Sequence, residues 1–281
     1  MKKQFVILAS ALLVSAQAFA GTITVKGSDT LVVVAQKWAE VYMSAHPAQK
    51  IQVTGGGTGT GFAALQNQTT DLCNASRKIK AKEIEQCVKT FGKRPTEYKV
   101  ALDGLSVYVN ADNAAVSTLS IEELEGIFTG AIKNWKQVGG ADAPITVYSR
   151  ENSSGTYEFF KEAVLKGKDF ASGAQTMPGT AAVLQAVAKD KNGIGYGGAA
   201  YGAGAKHVKV SVAKGEEGIE PNEENVLSQK YPIWRYLYIY VNPALDKGDV
   251  AAYLKWIRGD EGQKLVKDVG YYPLQKNPRS N

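Results

Sequence analysis

The sequence predicts an α/β protein built on a mostly parallel, doubly wound sheet. Two observations carry this. The first third of the chain alternates short β-branched runs with helix-period segments, a βαβαβα order. Three junctions between such a strand and the helix after it are rich in glycine, serine and threonine: "KGSDTL" at 26–31, "TGGGTGTGF" at 54–62 and "SRENSSGTY" at 149–157. In open α/β sheets the carboxyl ends of the strands face the ligand crevice.

The elements follow in order. "MKKQFVILASALLVSAQAFA" has Lys2 and Lys3, an apolar run and then Ala18-Phe19-Ala20. That is the pattern of a cleaved secretory leader over residues 1–20, too short to span a bilayer comfortably. No Cys follows the cleavage point, so no lipid anchor is expected, and the exported chain is expected to begin at Gly21. "TITVKG" reads as a strand. Leu31, Val34, Trp38, Val41 and Ala45 then recur on one helical face. "KIQVT" is the next strand and "GFAALQN" opens a second helix. "TDLCNAS" is a third strand, followed by the helix "AKEIEQCVKTFG". "EYKVALDGLSVYVN" reads as one longer extended segment. Ser120 and Glu123 form a capping box before "IEELEGIF". "APITVYS" is a strand that feeds a loop and the helix "TYEFFKEAVLKG". A helix near 180–190 precedes "GIGYGG". "WRYLYIYVN" is again extended, and helices near 249–258 and 261–269 end at Gly270. Two lobes with interleaved chain fit this order, although periodicity alone does not require them.

Composition narrows the function. The formal charge is +6, and loss of Lys2 and Lys3 lowers it by two to +4. A mild, dispersed positive charge suits an anionic ligand and gives no footprint for nucleic acid. No segment after the leader is long and apolar enough to cross a bilayer. Cys73 and Cys87 are the only cysteines, and in an exported chain an even, small number invites one disulfide. The alternative is two buried thiols. His46 and His207 are the only histidines and neither neighbours a Cys, so neither a metal site nor a cofactor is expected.

The junctions carry the chemistry. Five of the seven residues Gly55–Gly61 are glycine and the other two are threonine. Glycine lets the backbone approach closely, hydroxyls add donors, and a helix start offers unpaired N–H groups and partial positive charge. Each junction taken singly also fits an ordinary N-cap. Three in one chain, one of them with Arg150, point to an anion. Nucleotide motifs fail on spacing: Phe62 rather than Lys follows Gly61, and G-x-G-x-x-G fits from no glycine between 55 and 61. Neither histidine lies in a Ser/His/Asp context and no carboxylate pair stands out. Donors without proton-transfer machinery describe a binder, not an enzyme.

At these residues the chain resembles the periplasmic phosphate-binding protein of the Pst-type ABC transporter. "GSDTL…QKWAEVY", "GGGTGTGFAAL", "DLCNASR", "LEGIFTGAIKNW", "SRENSSGTYEFF", "GIGYGGAAY" and "EGQKLVKDVGYYPL" occur in that family's order. The resemblance implies a two-lobed, hinged periplasmic binding protein fold of type II, each lobe a mostly parallel sheet flanked by helices. Lobe I would comprise residues 21–106 with 236–281, and lobe II residues 107–235. It implies a monomer in the periplasm that captures inorganic phosphate and passes it to a membrane permease. Motif by motif, Thr30 and Thr58 would donate from the first lobe, and Arg150, Ser154, Gly155 and Thr156 from the second. One departure stands out. Well-studied members end the third strand with Ser-Asp, whose carboxylate accepts the ligand's proton, whereas here Ser76 is followed by Arg77. Arg77 is then expected as a ligand cation or a rim cation. Asp103 is the candidate replacement acceptor, or else a turn residue before Gly104, with Asp29 in reserve. A binding protein for sulfate or molybdate, and an exported phosphate-ester hydrolase, are the rival functions.

Overall fold

A computed structural model describes residues 21–202 and 206–275; the expected leader at 1–20 lies outside the described residues. The chain builds two sheets. The first has the order β2-β1-β3-β11-β4, from β1 (Thr22–Gly27), β2 (Lys50–Thr54), β3 (Leu72–Ala75), β4 (Thr96–Gly104) and β11 (Trp234–Val241). The second has the order β6-β10-β5-β9-β7-β8. Its strands are β5 (Ser106–Val109), β6 (Thr118–Ser120), β7 (Thr146–Arg150), β8 (Gln175–Met177), β9 (Gly193–Gly197) and β10 (Lys206–Ser211).

Both sheets are mixed, with two of four strand pairings parallel in the first and three of five, β10–β6 among them, in the second. β1 runs parallel to β2 and β3, but β11 is antiparallel to β3 and β4. In the second sheet β7 is parallel to β8 and β9, while β5 is antiparallel to β9 and β10. The reason is the chain's route. The segment that reads as one long strand is two, β4 and β5, which belong to different sheets and meet at Leu105. The chain leaves the first sheet there and re-enters through β11. β4 ends at the crossing and β11 begins there, Gly104 opposite Trp234, so the two strands run in opposite directions. The two crossings are tied side by side: Leu105 N–H donates to Ile233 C=O at 2.9 Å, and the Tyr231 hydroxyl donates to Leu105 C=O at 2.8 Å.

Nine helices flank the sheets among the described residues. α1 (Asp29–Ala45) buries Leu31, Val34, Trp38 and Tyr42 against the first sheet, and Trp38 Nε1 donates to Gly262 C=O at 2.8 Å. Val41 is only half-buried and Ala45 is exposed, because the buried stripe drifts to Tyr42 in the last turn. α2 (Thr58–Gln66) starts at Thr58, four residues ahead of Phe62, so the last glycines are helical. α3 (Ala81–Phe91) follows β3. α4 (Ile121–Thr129) has the expected capping box: Glu123 N–H donates to Ser120 Oγ at 3.1 Å and Ser120 N–H to Glu123 Oε2 at 3.0 Å. α5 (Gly155–Ala163), α6 (Thr180–Lys189) and the short α7 (Glu223–Leu227) serve the second sheet. α8 (Gly248–Arg258) and α9 (Asp260–Val269) close the chain, with Gly270 at φ +100° as the stop. Each sheet has its own core. The first centres on Trp38, Leu237, Ile239 and Tyr253. The second centres on Phe128, Phe160 and Tyr196, with the last two rings stacked at 4.1 Å.

The expected Cys73–Cys87 bridge is corrected: both cysteines are buried free thiols. Cys73 packs among Phe62, Leu65, Tyr238 and Tyr240 as a small apolar group, the usual behaviour of an unoxidised cysteine. Burial raises both thiol pKa values, that of Cys87 to about 11.

A buried hydroxyl cluster between the two sheets

The three junctions meet. After β1 the backbone turns at Gly27 (φ +143°), where a Cβ would stand 2.1 Å from Asn74 C=O. Only glycine lets the ends of β1 and β3 lie that close. Ser28 N–H then bonds Asn74 C=O at 2.9 Å, which sets Ser28 and Thr30 beside Ser76 at the end of β3. The glycine run after β2 also brings the two sheets together. Two of its N–H groups bond within the protein: Gly56 N–H donates to Asp29 Oδ1 at 2.9 Å and Gly59 N–H to Ser153 C=O at 2.8 Å. Gly57, at φ +92°, has Ser153 C=O where a Cβ would be, 2.6 Å away. These glycines let the first sheet's α2 start approach the loop before α5 of the second.

That approach gathers five buried hydroxyls. Thr30 and Thr156 Oγ1 are 2.7 Å apart, Ser28 Oγ donates to Ser76 Oγ at 2.8 Å, and Ser76 N–H donates to Thr58 Oγ1 at 3.1 Å. Ser76 Oγ also lies 3.3 Å from Thr58 and 3.4 Å from Thr156. None of the five is more than 2% exposed. Gly155 opens α5 directly against them. A Cβ there would fall 2.4 Å from Thr58 Oγ1 and 2.8 Å from Ser76 Oγ. Ser154 caps α5, accepting from Tyr157 N–H at 3.2 Å.

Two arginines are buried around this cluster. Arg150, from the end of β7, reaches across to α1. Its Nη2 bonds Asp29 Oδ2 at 2.8 Å and Glu151 Oε1 at 2.7 Å, and its Nη1 bonds Thr180 Oγ1 at 2.8 Å. Burial pulls the Glu151 carboxyl up, but Arg150 outweighs it and holds its pKa below the ordinary value. Arg235 opens β11. Its Nε and Nη2 bond Asp103 Oδ2 at 2.9 and 2.8 Å, its Nη1 bonds Ser76 C=O at 3.0 Å, and its Nη2 also reaches Thr156 Oγ1 at 3.0 Å. Asp103 is fully buried, and its Oδ1 accepts from Ala199 N–H at 3.0 Å.

Of the expected residues, Thr30, Thr58, Gly155 and Thr156 converge, and Ser154, Arg150 and Asp103 stand around them. Arg77 turns elsewhere. It forms a fork with Glu83, with both bonds at 2.8 Å, and its Nε lies 3.2 Å from Glu158. Lys80 pairs with the same Glu158. Burial opposes the Arg77 cation, yet these glutamates raise its pKa above the ordinary value. Ser28, Ser76 and Arg235 were missed. Ser28 sits in "KGSDTL" and Ser76 precedes Arg77, so both were within reach. The signal for Arg235 is a lone cation in an aromatic strand, "WRYLYIYVN". Arg77 and Arg235 also line a cavity of about 540 Å³ with Lys78, Lys99, Trp234 and Tyr236.

Two sheets flanked by helices, joined by adjacent crossings and meeting over a buried hydroxyl cluster, define the two-lobed fold of a solute-binding protein. The chain belongs to the PBP superfamily, whose domain model matches residues 14–261, and within it to the family of PstS phosphate-binding proteins. It is 35% identical over 275 residues to phosphate-binding protein PstS of Pseudomonas aeruginosa, covering 92% of this chain and 85% of that one. To PstS of Bacillus subtilis it is 32% identical over 255 residues, covering 90% and 81%. A solved structure from Clostridium perfringens, described as a candidate phosphate ABC transporter substrate-binding protein with bound phosphate, superposes with TM-score 0.83 at 27% identity. It covers 91% of this chain and 100% of that one.

Proposed function

We propose that this protein captures inorganic phosphate between its two lobes and delivers it to the membrane permease of an ABC transporter. The observation that carries the reading is the cluster of Ser28, Thr30, Thr58, Ser76 and Thr156, buried hydroxyls drawn from the ends of both sheets with Gly155 pressed against them. Hydroxyls and helix-start N–H groups suit a small, dehydrated tetrahedral anion. Thr30 and Thr58 act as donors from lobe I (residues 21–106 with 236–281). Ser154, Gly155 and Thr156 act from lobe II (residues 107–235), with Arg150 as their cation. Arg77 belongs to the rim, where its pair with Glu158 joins the lobes in the closed form. The names of the relatives and the phosphate in the Clostridium structure support this choice of ligand. We read the protein as a monomeric binder, exported by cleavage of residues 1–20 without a lipid anchor.

Size sets a demand on the site. The best tiny ligands gain about −1.5 kcal/mol per heavy atom, so phosphate, with five, reaches roughly −7.5 kcal/mol, or micromolar affinity. Reaching this takes nearly every oxygen, engaged from both lobes. Calorimetric titration of the purified protein with phosphate, sulfate and molybdate tests the reading. One phosphate per chain at micromolar Kd or tighter, with sulfate and molybdate at least tenfold weaker, is expected. Sulfate or molybdate bound more tightly than phosphate would overturn it.

A further inference from the structure

We propose that Arg235 is a second cationic donor to the bound anion, and that Asp103 positions it rather than accepting the ligand's proton. This rests on the phosphate-binding reading and names residues of the same site. The guanidinium is almost wholly buried, its side chain 3% exposed and that of Asp103 0%. A buried arginine that only neutralised Asp103 would need no more than the fork. Arg235 instead spends its remaining N–H groups at the hydroxyl cluster, on Ser76 C=O and on Thr156 Oγ1. Thr156 is the hydroxyl that also touches Thr30 and Ser76. Because Arg235 donates to its oxygen, the Thr156 O–H is left to donate onward. A charged donor at the head of such a chain strengthens the bonds that follow. An anion seated on Thr156 and Gly155 therefore feels the Arg235 charge through Thr156 and lies within reach of the guanidinium itself.

The carboxylate geometry fits the positioning role. Asp103 Oδ2 accepts both Nε and Nη2 of Arg235, and Oδ1 accepts Ala199 N–H. Each oxygen already has a partner inside the protein. Asp103 also sits on β4 and Arg235 on β11, paired directly across the strands. The fork is thus fixed at the two crossings between lobes, while its outer nitrogens reach Ser76 at the end of β3 and Thr156 on α5 of the other sheet.

The two roles of Asp103 predict different selectivities. An acceptor for the ligand's proton favours phosphate, which keeps a proton near neutral pH, over sulfate, which has none. A residue that only holds Arg235 serves both anions alike. The test is phosphate calorimetry on the full chain, with sulfate measured by competition. Arg235→Lys keeps a cation against Asp103 and loses the fork; it is expected to weaken phosphate at least tenfold, with the unfolding midpoint of the ligand-free protein within a few degrees of wild type. Asp103→Asn is expected to weaken phosphate and sulfate by the same factor within threefold. If that variant fails to fold, Asp103→Glu, which keeps the charge but displaces it, is read in the same way. Phosphate affinity of Arg235→Lys within twofold of wild type overturns the role of Arg235. A tenfold shift in the phosphate-to-sulfate ratio on changing Asp103 overturns the positioning role. Failure of the wild-type protein to bind phosphate overturns the functional reading itself, and is distinct from either.

Discussion

Gly155 is the residue on which the site's geometry turns. It lies at the first position of α5, and its missing Cβ is what lets Thr58 and Ser76 of the first sheet close on the helix start of the second. Alanine there places a methyl group 2.4 Å from Thr58 Oγ1, well inside van der Waals contact. Helix propensity favours alanine over glycine by up to about 1 kcal/mol, so α5 itself does not suffer. Gly155→Ala is therefore expected to lower phosphate affinity at least a hundredfold while the unfolding midpoint of the ligand-free protein changes little; calorimetry and thermal melting together check both halves. The threonines of the site were legible because each opens a helix after a strand, where hydroxyls have few other uses. Arg235 was not legible as a site residue. Pattern shows that it sits on a strand, but only tertiary packing brings that strand end to Thr156. The sequence offered Asp103 as a replacement for the carboxylate missing at Arg77, and its partner Arg235, 132 positions away, is beyond any local pattern.

Elements were read better than their directions. Strand and helix periods placed α1, α3, α4, α8 and α9 closely, because amphipathic faces and caps are local signals. The antiparallel β11 and the split between β4 and β5 depend on where the chain changes sheets, which no local period encodes. The thiols of β3 and α3 show the same limit, since cysteine count and compartment speak to oxidation but not to packing. At the end of β7 the Arg150–Glu151–Asp29 group gives an element-level test by pH. Glu151 is held below its ordinary value near 4.5 in the folded state. Its contribution is then fully present above the unfolded value and is lost as pH falls through the folded one. Wild-type protein should lose more thermal stability than Glu151→Gln between about pH 5 and pH 3, and should be the more stable of the two at pH 7. Parallel melting profiles over that range would show that the Arg150 pair contributes nothing to this junction.

Over the whole molecule, the two sheets are held together by contacts that gather on one loop and one helix. Ser153 meets the glycine turn, Thr156 meets Thr30, Glu158 meets Arg77 and Lys80, and Arg150 meets Asp29. These four partners on the second sheet's side all come from residues 150–158. Away from this line the chain crosses between the sheets side by side at Leu105 and Ile233, and Ala199 N–H and the Tyr201 hydroxyl donate to Asp103 and to Asp29 C=O of the first. A contact line opposite a narrow hinge is the arrangement by which binding proteins close around ligands. Such closure joins groups that no segment of the sequence places together. What the contact line encloses decides the protein's function. The most direct measurement is a crystal structure of the protein grown with phosphate. It should show a tetrahedral anion within hydrogen-bond distance of Thr30, Thr58, Gly155 and Thr156, with the Thr30 and Thr156 hydroxyls parted from their 2.7 Å contact and Arg235 turned to an anion oxygen. Phosphate seated instead against Lys78 and Lys99 in the neighbouring cavity, with the hydroxyl cluster unchanged, would contradict it.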